Sequence, residues 1–160
     1  MHEFLVAVAK WIGETGWATT IRTTRIYPFI QLIHFSGLSL WLGTNILVDL
    51  RILGVGSKRQ TAAQLSDVLF IWNWIAFCIV VLGGFLLFSG IGTTYLENAA
   101  FEVKLGFFVP LALSWHILVQ RKVRNWGRQP DTPPVAKLSA LIEVLLWVCV
   151  VAAAVEIPNY

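Results

Sequence analysis

Long apolar runs dominate the chain, and polar side chains enter them at helical spacing. The runs predict spanning helices at about 26–50, 66–92, 100–121 and 136–157, each near the roughly 20 residues that a bilayer core demands. The fold this implies is an all-α membrane protein, a single up-and-down four-transmembrane-helix bundle over residues 26–157. Ahead of it, residues 1–25 form a lead-in. There Phe4, Leu5, Val8, Trp11 and Ile12 recur at helical spacing opposite Glu3, Lys10 and Glu14, as in an amphipathic helix lying in the interface. The alternative is a solvated tail. A signal peptide is not expected, because "MHEF" has no basic region and no small-residue cleavage site follows.

Polar groups inside the runs are not scattered. At 100° per residue, Gln31, His34, Trp41, Asn45 and Asp49 fall within an arc of about 80° on the first span. Glu102, His116 and Gln120 fall within about 40° on the third. Such stripes face the bundle rather than lipid. Asn45, Asn73, His116 and Glu143 come from four different spans, yet each lies roughly 8–10 Å from the same end, counted at 1.5 Å per residue. A buried polar layer follows, in which His116 and Glu143 share a hydrogen bond. It serves either as interhelical glue or in handling protons and quinol.

His34 lies nearer the opposite end, about 12 Å in. At its depth stand Gly83 and Gly84, Val109-Pro110 and the stretch from Cys149 to Ala152. Small residues there permit either close helix packing or a slot for a flat ligand with His34 on its metal. His34 and His116 are offset by about 9 Å along the bundle, so sharing one iron requires tilt. Asp49-Leu50-Arg51 reads as a helix end whose charges reach water. Asn98 is a predicted N-cap with Glu102 in the positive first turn, and Pro110 predicts a kink.

Composition agrees with a membrane protein: 57% of the 160 residues are hydrophobic and 13% charged, against about a quarter charged in soluble domains. Lys and Arg set the orientation. Arg51, Lys58, Arg59, Arg121, Lys122, Arg124, Arg128 and Lys137 gather at one end, and Lys10, Arg22, Arg25 and Lys104 at the other. The eight-to-four bias places the first end in the cytoplasm and both termini outside. Cys78 and Cys149 fall in apolar runs and read as small hydrophobes. Trp11, Trp17, Tyr27, Trp72, Trp74 and Trp126 suit interfacial anchors, and Trp41, Trp115 and Trp147 suit the core or the lining of a ligand site. There is no P-loop, nucleophile elbow or HExxH box, and nucleic acid is not an expected partner.

The stretches "YPFIQLIHFSGLSLWLGTNILVDLRILG" and "YLENAAFEVKLGFFVPLALSWH" resemble an uncharacterised family of four-helix bacterial inner-membrane proteins. That family is distantly similar to CopD-type and haem-b cytochrome-type membrane domains. His34 with Gly37 and Gly43, the Asp49–Arg51 run, and Asn98, Phe101 and Lys104 carry the resemblance. It implies a bacterial plasma membrane and a haem or redox link through His34 and His116. The chain departs from the pattern at Val155-Glu156, where an arginine is expected; Arg22 and Arg25 are the substitutes for holding a propionate.

Two functions therefore compete. One is a haem-b-binding or redox-linked subunit passing electrons between a periplasmic partner and the quinone pool. His34 and His116 are its candidate metal ligands, with Gly83, Gly84, Arg22 and Arg25 around the cofactor. The other is a non-catalytic subunit that anchors a larger membrane complex. Expected partners are membrane lipid, other membrane or periplasmic redox subunits, and a second copy of the chain. A stand-alone enzyme is not expected, and copper transport is disfavoured because Met1 is the sole methionine.

Overall fold

The computed structural model describes residues 2–56, 59–126 and 131–157, so Lys58 and Arg128 lie outside the described residues. Among those described the chain is helical and has no strand. The helices are α1 (His2–Gly13), α2 (Gly16–Thr23), α3 (Ile26–Leu53), α4 (Ala62–Leu96), α5 (Ala99–Val103), α6 (Val109–Trp126) and α7 (Pro134–Glu156). A π-helical segment, Lys104–Phe108, joins α5 to α6 without a break. Three helical stretches are long and apolar enough to cross a membrane: Ala62–Leu96, Ala99–Trp126 and Pro134–Glu156. α3 has the length, at 28 residues, but its stripe of Gln31, His34, Asn45, Asp49 and Arg51 lowers its apolarity.

The helix ends follow local chemistry. Thr61 and Gln64 form a capping box at the start of α4, each side chain accepting from the other's backbone N–H at 3.2 and 2.9 Å. Asn98 caps α5, as its sequence position predicts, and its amide also donates to the Ile157 carbonyl at 2.8 Å. That bond ties the start of α5 to the end of α7. Gly54 closes α3 in the left-handed conformation, at φ 88°.

α3 and α4 form a close antiparallel pair. A Cβ on Gly37 would lie 2.5 Å from Ile79 Cγ2, so only glycine permits this approach. α6 runs back beside α4, and α7 returns against α3 and α6. Trp41, Ala76, Ala112, Trp147 and Val150 form the middle of the core. Val48, Ile52, Ala62, Val119, Val123, Ala136 and Ala140 fill the end nearest the 54–61 connection, here the basic end. At the terminal end α1 packs Ala9 against Leu96 and Phe101.

Four sequence expectations change. α2 is a helix where only a lead-in is predicted, and it buries Ala18 and Ile21. α4 runs to Leu96 through a non-helical residue, Ile91 (φ −139°, ψ 35°). Before Pro110 the helix loosens into the π segment, which adapts its hydrogen bonding ahead of the ring. That segment also alters the residue count per turn, so Glu102 is exposed and pairs with His2 at 3.0 Å instead of sharing the His116 face. Finally, Asp49 and Arg51 do not reach water: they are 2% and 5% exposed. Arg51 Nε donates to the Gln60 carbonyl at 2.6 Å, and Thr132 Oγ1 donates to the Ile52 carbonyl, so the connecting segments fold over this helix end.

Candidate functional site

A cleft of about 710 Å³ opens between α4 and α6, with α3 as its floor. Its polar floor comes from Thr44 and Asn45 of α3, Ser66 and Asn73 of α4, and His116 and Gln120 of α6. Trp41, Phe70, Trp74 and Phe77 are the aromatic part of its wall, and Arg121 and Arg124 stand at the basic end. Arg124 bridges to Asp67 of α4 at 3.2 Å across that end.

The structure brings the predicted layer together in two linked parts. Asn73 is central to the first. Its amide donates to Thr44 Oγ1 at 3.0 Å and to Asn45 Oδ1, while its carbonyl oxygen accepts from Trp41 Nε1 at 3.3 Å. The second part is His116 and Glu143, whose Nδ1 and Oε1 are 2.5 Å apart. The Trp41 ring joins the two, edge-on to His116 at 6.1 Å and to Trp147 at 4.6 Å.

Burial orders the second part. His116 lines the cleft, whereas Glu143 does not and is 1% exposed. The imidazole thus stands between the cleft and a carboxylate behind it. In the tautomer whose Nδ1–H donates to Glu143 Oε1, Nε2 keeps its lone pair on the cleft side. A neutral ring in this tautomer accepts from a hydroxyl; protonated, it donates to a carbonyl.

The structure does not bring His34 to this site. His34 Nδ1 bonds the Val80 carbonyl at 3.0 Å, about two turns of α3 from Trp41. Gly83 and Gly84 are small because the His34 side chain occupies the space beside them: Cβ atoms there would meet it at 2.9 and 3.3 Å. These glycines therefore do not frame a slot for a haem face, and the residues around His34 do not fit that group. Arg22 lines a separate cavity of about 590 Å³ at the terminal end, with Lys10, Glu14 and Thr93. Arg25 is exposed at the start of α3. Among the described residues no three His, Cys, Asp or Glu side chains converge as a metal site.

Sequence reasoning missed most of the cleft wall. The signal was available: Ser66, Phe70, Asn73 and Phe77 follow one another at helical spacing on one face of α4. Asp49 is on the inward stripe that the sequence predicts, but its burial from water is not predicted, since its place near a helix end suggests water.

Comparison with curated proteins and with solved structures returns no match. A family match covers residues 6–158, nearly the whole chain, and nothing in it shows a similarity to CopD-type or cytochrome-type domains. The chain therefore belongs to a family of unknown function, DUF6644.

Proposed function

We propose that the chain is a redox-linked membrane subunit that binds a quinone-class carrier in the α4–α6 cleft, with His116 as the residue that meets the ring oxygen. The observation that carries this reading is the placement of His116 between an open cleft and the buried carboxylate of Glu143. A quinol hydroxyl donates to Nε2 and a quinone carbonyl accepts from it once the ring is protonated. The aromatic wall suits a planar ring, and the gap between α4 and α6 gives an apolar tail a way into lipid. Electrons pass to or from a redox centre of a periplasmic or membrane partner. No step is routed through a haem on this chain.

In this reading α3 is the fourth span, its stripe turned inward and Phe29, Leu32, Ile33 and Leu40 turned to lipid. α1 lies in the interface with Phe4 and Trp11 exposed to it. The basic end faces the cytoplasm of a bacterium and both termini face the periplasm.

Quenching of tryptophan fluorescence by short-chain ubiquinone and naphthoquinone analogues tests the site, since Trp41 and Trp74 line the cleft. Saturable quenching is expected, weakened about tenfold or more by His116→Ala, or ~1.4 kcal/mol. His34→Ala should leave it unchanged. Equal affinity in His116→Ala, or no quenching of the native chain, contradicts the proposal.

One observation favours the anchoring alternative. The Trp41–Thr44–Asn45–Asn73 network joins α3 to α4 through bonds within the protein, which is what packing alone requires. A chain that copurifies in fixed ratio with another subunit and binds no quinone would establish that function.

A further inference from the structure

Behind His116 lie buried groups that ligand contact alone does not explain. Asn45 and Asp49 stand one turn apart on α3, and Glu143 and Trp147 one turn apart on α7. α3 and α7 pack together and run antiparallel, and Trp41 meets Trp147 across their interface. Each of the four side chains has one buried atom without a partner, Asn45 Nδ2, Asp49 Oδ2, Glu143 Oε2 and Trp147 Nε1, and so does Arg51 of α3, at Nη2. All four residues are at most 3% exposed.

Buried polar atoms need partners, and these five comprise three donors and two acceptors. A bound water, which accepts two hydrogen bonds and donates two, can join the two acceptors to donors among them. With Trp41 against Trp147 and the two helices antiparallel, Asn45 stands level with Glu143 and Asp49 about one turn beyond it. Two bare carboxylates side by side in a dry interior are costly unless charge or a proton compensates them.

The charged neighbours are few. α3 supplies Arg51, whose Nε donates to the Gln60 carbonyl while its buried Nη2 has no partner, so one cation stands against two carboxylates, and α6 supplies His116. α4 has a single ionisable carboxylate, Asp67, held at the cleft end by Arg124. α7 supplies Glu143 itself, and Lys137 at its start is exposed.

We propose that Asp49 and Glu143 hold one exchangeable proton between them across a bound water, forming a relay from the cleft toward the basic end of the bundle. The quinol role of this relay rests on the quinone reading above. In the relay a quinol O–H bond breaks and an Nε2–H bond forms on His116, while the Nδ1 proton moves to Glu143 Oε1. As Oε1 gains that proton, Glu143 Oε2 passes the shared one through the water to Asp49 Oδ2, and Asp49 releases it to water at the basic end. Oxidation of a quinol to the quinone releases two protons and two electrons. The second O–H proton follows the first along the same relay once His116 has reset, and the electrons go one at a time to a one-electron redox centre of the partner.

Infrared difference spectroscopy of the detergent-purified full chain, titrated with pH and repeated in D2O, tests the shared proton. A carboxylic-acid C=O band near neutral pH is expected, shifted by deuterium, lost in Asp49→Asn and displaced in Glu143→Gln. Trp147→Phe removes one donor to the water and should also displace the band, which keeps the test open if a carboxylate variant fails to fold. No such band in the native chain, or a band unchanged in all three variants, overturns the proposal. Quinone-analogue quenching separates the two ideas, because Asp49→Asn should bind within about twofold of the native chain while losing the band. A native chain that has the band and binds no analogue retains the proton site and overturns its quinol role.

Discussion

Asn73 holds three bonds at the centre of the bundle, and its loss has a computable cost. Asn73→Leu leaves Trp41 Nε1 and Asn45 Oδ1 without their partner, at about 1–3 kcal/mol for each buried group that stays unsatisfied. Thermal unfolding in detergent should show a clear loss of stability; an unchanged midpoint would mean that other groups replace these bonds. Glu143→Gln acts differently. It keeps the shape beside His116 Nδ1 but removes the carboxylate that fixes the tautomer, so analogue affinity should fall, by less than in His116→Ala. Asn45, Asn73, His116 and Glu143 were legible in the sequence because polar groups are rare in apolar runs and their depths can be counted. Asp49 and Arg51 were not. Their burial depends on Gln60 and Thr132, from two separate connections, closing over the end of α3. No local pattern announces such a long-range cover.

Between α3 and α4 the glycines divide by what surrounds them. At Gly37 and Gly83 an added Cβ meets Ile79 at 2.5 Å and His34 at 2.9 Å, so Gly37→Ala and Gly83→Ala should destabilise by about 1–3 kcal/mol through overpacking. Gly43 and Gly106 have nothing within 4 Å. Gly43→Ala should instead be neutral or stabilising, by up to ~1 kcal/mol, because alanine suits a helix better. Melting temperatures of the three variants check this, and a Gly43→Ala loss matching that of Gly37→Ala would contradict the packing described. The long helices themselves were readable from apolar runs, with ends moved by a few residues through caps such as Thr61. The π segment was not readable, since Pro110 signals a disturbance without fixing its form. That one segment is why Glu102 and His116, aligned by a uniform 100° count, end on different faces.

Taken as a bundle, the chain has a polar interior reached from one side and a charge bias from which the proposed orientation follows. With Cys78 and Cys149 replaced by serine, Glu14→Cys should react with a membrane-impermeant maleimide in intact spheroplasts, and Lys137→Cys only after lysis. The reverse pattern would invert the topology and place the cleft's basic end outside. The quinone cleft is the central claim, and photolabelling tests it most directly. The purified chain would be irradiated with an azidoquinone and the labelled peptides mapped by mass spectrometry. Labels should fall on α4 between Ser66 and Phe77 and on α6 between Leu113 and Arg124, and excess unlabelled quinone should suppress them. Labelling spread over the lipid-facing surface and insensitive to competitor, or confined to the neighbourhood of His34, would contradict the account.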